Sequence, residues 1–140
     1  MEIFRFRNFG VYKDAKKFRK LVHRYLEKFP SEERYILRDQ ISRAALSIVL
    51  NIAEGSAKSS DKEFRRFLGI AISSMSEVVA GFDLASDDGI INVQDFQEIE
   101  IAAQSVARQL GGFMKKLASD VRHSSIVKSH SSIVRGHAAR

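Results

Sequence analysis

Residues 96–117 read FQEIEIAAQSVARQLGGFMKKL. Within them Phe96, Ile99, Ala103, Val106, Leu110, Phe113 and Leu117 recur at alternating steps of three and four. That spacing is the seam of a helix packed lengthwise on other helices, whereas a half-buried strand would alternate every second residue. The helix starts at or just after Asn92 and is expected to end near Asp120.

The same period runs upstream. Phe64, Phe67, Leu68, Ala71, Met75, Val78, Val79, Phe82 and Ala85 mark a helix that begins after Ser59-Ser60-Asp61 and stops near Ser86, before the turn signal Asp87-Asp88-Gly89. Val11, Ala15, Phe18, Val22, Tyr25 and Phe29 mark another, from about Gly10 to Phe29, ended by Pro30. Between them Ser31 is a good N-cap, followed by Glu32 and Glu33 in the first turn, for a helix that runs to about Ala57, with Gly55 near its end and expected to help terminate it. Helices of this length are about 30–40 Å long, and short connections fold each back on the last. The predicted class is all-α: an up-and-down antiparallel four-helix bundle in one domain, residues 1–120. Gly111-Gly112 falls inside the last helix, where it is expected to permit close packing.

Residues 121–140 differ. His123-Ser-Ser-Ile-Val-Lys-Ser is followed by His130-Ser-Ser-Ile-Val-Arg-Gly and then His137. This Ser/His-rich duplication lacks an apolar face and reads as a flexible extension outside the bundle.

Composition narrows the chemistry. The chain has no cysteine, which excludes disulfides and thiolate metal sites. The N-terminal stretch Met1-Glu2-Ile3-Phe4-Arg5-Phe6-Arg7 has no apolar run of a signal peptide, and no stretch reads as a membrane span of about 20 apolar residues, so the expected location is cytoplasmic. The net charge of +6 is unevenly spread: residues 1–66 carry +7, residues 67–120 carry −5 and the tail carries +4. The asymmetry implies either an oriented electrostatic surface or helices of opposite charge packed together.

The second helix is apolar on two sides. Leu37, Ile41, Ala44, Ala45, Ile48 and Ile52 form one face; Leu46, Val49, Leu50 and Ala53 lie on the far side. A bundle helix needs one apolar stripe. A second one calls for cover, and another copy of the chain is the simplest. Between these faces runs a polar row of Gln40, Arg43, Ser47, Asn51 and Glu54. It either lines a site between subunits or forms a hydrogen-bonded seam that fixes helix register, with Glu63, Arg66 and Glu77 as candidate partners for Arg43 and Glu54.

The first helix carries Lys13, Lys16, Lys17, Lys20, Arg24 and Lys28 on about a third of its circumference. Cations at this spacing match backbone phosphates of RNA or DNA; the plainer alternative is a solvated basic face. Arg34, Arg38, Arg65 and Arg66 are candidates to extend it. Phe6 and Phe9, interleaved with arginines, either join it or cap the bundle.

No metal or cofactor is expected. His123, His130 and His137 would stand about 10.5 Å apart on a helix, too far to share an ion, and His23 reads as a lone surface side chain. No Ser/His/Asp grouping or Gly-rich phosphate loop is present, so the chain is expected not to be an enzyme.

The stretch Gln40-Ile41-Ser42-Arg43-Ala44-Ala45-Leu46-Ser47-Ile48, then Asn51-Ile52-Ala53-Glu54-Gly55, Lys62-Glu63-Phe64 and Phe67-Leu68-Gly69-Ile70-Ala71 resembles the bacterial four-helix bundle proteins encoded in intervening sequences of 23S rRNA genes. Phe9, Val11, Tyr12 and Ala15 are similar to the family's opening, and the resemblance covers about residues 6–118. Tyr12 departs from the family's usual tryptophan and Val49 from its frequent proline; both affect packing. The resemblance implies a homopentamer, a subunit number that periodicity does not supply. The family is similar in fold to accessory proteins of diversity-generating retroelements, basic pentameric barrels that contact nucleic acid and a reverse transcriptase. By that analogy the expected partners are further copies of the chain, RNA or DNA, and a protein such as a reverse transcriptase. A protein-interaction scaffold without nucleic acid is the alternative.

Overall fold

A computed structural model describes residues 2–30 and 35–138, with side chains over 2–30 and 36–119. After a 3-10 turn at Arg5–Asn8 come α1 (Gly10–Leu26), α2 (Tyr35–Ser56), α3 (Asp61–Asp87) and α4 (Val93–Ala138). The described residues contain no strand.

Local chemistry sets the boundaries. Ser60 Oγ accepts from the Glu63 amide at 3.1 Å to cap α3, and Asn92 Oδ1 accepts from the Asp95 amide at 2.8 Å to cap α4. Gly89, at φ +73°, turns the chain out of α3 while the Ile90 amide reaches back to the Ala85 carbonyl at 2.8 Å. α1 stops at Leu26, short of the expected Phe29. Its last amides tighten to three-residue bonds, Lys28 to Tyr25 and Phe29 to Leu26, as Pro30 bars its predecessor from helical geometry. The expected N-cap at Ser31, with Glu32 and Glu33, lies outside the described residues. α4 runs past Asp120, because no proline or left-handed glycine interrupts its backbone there. The side chains of the proposed flexible extension at 121–140, including its three histidines, also lie outside the described set.

α2 and α3 share the most extensive pairing, α1 lies on α2 and α4, and the diagonal pairs are apart. Bridging side chains give the antiparallel sense. Tyr25 pairs with Glu98 and Asp14 with Gln109 across α1 and α4; Gln40 pairs with Glu77 and Ser47 with Ser74 across α2 and α3. Ile41, Ile48, Ile52, Phe64, Leu68, Val78, Phe82, Ile99 and Leu110 fill the centre with almost no exposed surface. Each contributes about 1.5–3 kcal/mol of transfer free energy. α3 is long and apolar enough to cross a bilayer by length and hydropathy, contrary to expectation, but its apolar side from Phe64 to Ala85 is buried against its neighbours.

Glycine roles differ from expectation. Gly55 does not terminate α2 through a left-handed turn. It permits contact, since a Cβ there would lie 2.7 Å from Phe67 Cβ and 3.0 Å from Phe64 Cδ1. Gly111 and Gly112 serve no close approach: a Cβ at either meets nothing within 4 Å.

Candidate nucleic-acid interface

α1 buries Val11, Ala15, Phe18, Leu21, Val22 and Tyr25, which turns the opposite arc to solvent. Lys13, Lys16, Lys17, Lys20, Arg24 and Lys28 are all exposed there. Lys16 Nζ sits 4.9 Å from the centre of the Tyr12 ring and Lys28 Nζ 5.0 Å from that of Tyr25, so two of the six cations are steadied by aromatic faces. Asp14, on the same helix, instead accepts from Gln109 Nε2 at 2.9 Å. Among the described residues none of the six cations forms an ion pair; the pair found is Arg66–Glu63, at 3.1 Å on α3.

Extension of this face differs from expectation. Arg65 and Arg66 lie on α3, diagonal to α1, and Arg66 stacks over Phe67 at 4.7 Å. Arg34 lies outside the described residues. Arg38 does adjoin α1, lining a groove with His23, Glu27, Asp39 and Ser42. The N-terminal arginine at position 5 is engaged elsewhere. Its Nε and Nη2 donate to the Ser56 carbonyl at 3.3 and 3.1 Å, satisfying the end of α2, and its guanidinium covers Phe9 and Phe64. Phe9 in turn packs on Phe64 and Phe113, and Phe6 on Tyr12, so both cap the bundle.

Arg19 and His23 add to this surface beyond the residues expected to form it. His23 is half-buried, not a surface side chain, and Arg19 stands one turn before it. Arg19 Nε and His23 Nε2 are buried without a hydrogen-bond partner. Burial, then the charge of Arg19 and that of Arg38, push the His23 imidazole below its usual pKa, against an opposing pull from Glu27. The available signal was the four-residue spacing of Arg19 and His23 beside the basic arc.

On the opposite side of α2, Leu46 is 40% and Leu50 53% exposed, with Ile70 of α3 38% exposed nearby. Ala53 is half-buried. Val49, expected on this outer side, is 6% exposed and belongs to the core, since it stands at the margin of the inner face of α2 beside Ala45 and Ile52. The polar row divides. Ser47 Oγ lies 2.8 Å from Ser74 Oγ, and Asn51 Nδ2 donates to the Ser47 carbonyl at 2.8 Å and to its Oγ at 3.0 Å. Gln40 Nε2 donates to Glu77 at 2.9 Å. These form a register-fixing seam between α2 and α3. Arg43 and Glu54 stand exposed and, among the described residues, pair with none of Glu63, Arg66 and Glu77.

The family model described as 23S rRNA-intervening sequence protein matches residues 7–112. The chain belongs to that family. A solved structure is similar to this intervening-sequence protein: a protein of unknown function from the S23 ribosomal protein family of Bacteroides thetaiotaomicron VPI-5482. It is 21% identical, the match covering 75% of this chain and 98% of that one, with a TM-score of 0.70. At that identity the likeness establishes the shared helical fold. No curated protein matches the chain.

Proposed function

We propose that this intervening-sequence protein is a non-enzymatic, homo-oligomeric accessory protein that holds RNA or DNA by its phosphate backbone along α1. The observation that carries this reading is the exposure of Lys13, Lys16, Lys17, Lys20 and Arg24 on one arc of a rigid helix, continued by Lys28 in the turn just past its end. Such an array neutralises successive phosphates without reading bases. Oligomerisation is supported by Leu46, Leu50 and Ile70, exposed around the Ser47–Ser74 seam. Covering the exposed half of each leucine contributes about 1 kcal/mol. A ring, pentameric by family resemblance, multiplies the basic arc, and avidity then compensates for weak single contacts.

The test is fluorescence anisotropy with labelled RNA and DNA at low ionic strength. The parent chain binds, and reversal of Lys16, Lys17, Lys20 and Arg24 to Glu removes binding while the helical circular dichroism stays. Absent binding in the parent, or undiminished binding in the variant, contradicts the proposal.

One feature favours a second role as a protein scaffold. Between α3 and α4 an open groove of about 540 Å³ is floored by Ile72, Val79 and Phe96 and edged by Asp83 and Glu100. An apolar floor with acidic edges suits a basic amphipathic helix. Co-purification of a protein after nuclease treatment, lost on Val79→Glu, distinguishes this role.

A further inference from the structure

The groove between the second half of α1 and the first half of α2 has a chemistry that the exposed lysine arc lacks. Two nitrogen atoms on this stretch of α1, Arg19 Nε and His23 Nε2, are buried without a protein partner. Leaving such groups unpaired is costly, and they are four residues apart on one helix. From α2, Arg38 and Ser42 line the same groove, whose volume is about 340 Å³. Arg19 lies in an adjoining open depression along α1, with Lys17, Lys20 and Arg24, and His23 and Glu27 line both. In the groove itself the carboxylates of Glu27 and Asp39 face the one guanidinium of Arg38; over groove and depression together Lys17, Arg19, Lys20, Arg24 and Arg38 outnumber them.

We propose that the groove and the depression meet at His23 as one phosphate site, in which Arg19 from the depression and Arg38 from the groove hold the oxyanion from opposite helices and His23 and Ser42 complete the hydrogen bonds. Guanidinium forks set on two elements match a tetrahedral oxyanion better than a small halide. Its source is either a phosphodiester of a bound nucleic acid or a small phosphomonoester. The site shares the positive field of the α1 face, and its nucleic-acid form alone rests on the proposed function.

The imidazole reports occupancy. Among the described residues, the charged groups facing it are Arg19 and Glu27 on α1 and Arg38 and Asp39 on α2. Unliganded, it titrates below its usual value of 6.5, through burial and the two guanidinium charges. An oxyanion at the site offsets those charges and favours the imidazolium, so binding raises the His23 midpoint.

The experiment is an NMR pH titration of the His23 ring in the full chain. His123, His130 and His137 all lie in the tail, and His23→Gln assigns the resonance. Inorganic phosphate replacing chloride at constant ionic strength, in one arm, and an RNA oligomer with 5′-hydroxyl ends, in the other, are the probes. The expected result is a rise of the His23 midpoint by about one pH unit in at least one arm. Arg19→Gln abolishes that rise, and Arg38→Gln, at an exposed position, does so with less risk to folding. A rise with RNA alone assigns the site to a backbone phosphodiester; a rise with inorganic phosphate assigns it to a free phosphate group. No rise in either arm, or an equal rise in both arginine variants, overturns the site. Failure of the chain to bind RNA in anisotropy ends the nucleic-acid reading and leaves the inorganic phosphate arm to decide the site.

Discussion

Gly81 of α3 lies directly on Ile41 of α2: a Cβ at Gly81 would stand 2.4 Å from Ile41 Cγ1 and 2.9 Å from its Cδ1. The two helices approach this closely because one of them lacks a side chain there, and the Gln40–Glu77 and Ser47–Ser74 bonds hold the register that aligns them. Gly81→Ala therefore forces apart the most extensive helix pair of the bundle. Urea unfolding should show a loss of about 1–3 kcal/mol, the usual cost of overpacking. Gly112→Ala is the opposite case. That position is helical and open, so the substitution should raise stability by about 0.5–1 kcal/mol through helix propensity. Equal effects of the two substitutions would contradict the packing described.

Tyr25 fastens α1 to α4 by donating its hydroxyl to Glu98. The bond, with burial and the charges of Glu98 and Asp95, pushes the phenol up to about 12 from 10.0. A native pKa above the unfolded one means that the native state holds this proton longer. The stabilisation is complete below pH 10 and is lost as pH rises from 10 towards 12. Tyr25→Phe should lower stability at pH 8 by about 1 kcal/mol. The gap between parent and variant should close as pH approaches 12, which unfolding measured for both across that range will show.

Leu46 and Leu50 decide self-association. Leu46→Glu with Leu50→Glu should convert an oligomer into a folded monomer in sedimentation velocity at micromolar concentration, since burying unpaired carboxylates at an interface costs several kcal/mol. Val49→Ala should behave differently. It should lower stability by about 1–2 kcal/mol and leave the mass unchanged, because Val49 packs inside the bundle. A parent chain that sediments as a monomer would remove the oligomer from the proposed function.

Periodicity made the helices and the core legible. The seam from Phe96 to Leu117 and the inner α2 face from Leu37 to Ile52 recur at helical spacing, and burial follows that spacing. What periodicity could not carry was the third dimension at the edges of each stripe. Val49 sits on a wheel boundary, and only the packing of the neighbouring elements decides that it is inside. Gly55 and Gly112 look alike in sequence; one faces two phenylalanines and the other faces open space. Arg19 and His23 were masked by the longer lysine array, since their distinguishing property is burial against α2, which depends on where Arg38 and Asp39 arrive. The lysine arc was legible because charge on an exposed face requires only the helix itself.

The measurement that bears most directly on the phosphate-binding role of α1 is the salt dependence of RNA affinity. If four to six of the α1 cations meet phosphates of a single strand, log K falls linearly with log salt concentration at a slope of roughly −3 to −4. Lys20→Gln, which deletes one contact, reduces that slope by about 0.7. An affinity independent of salt, or a slope that the loss of Lys20 leaves unchanged, would contradict the role assigned to this helix.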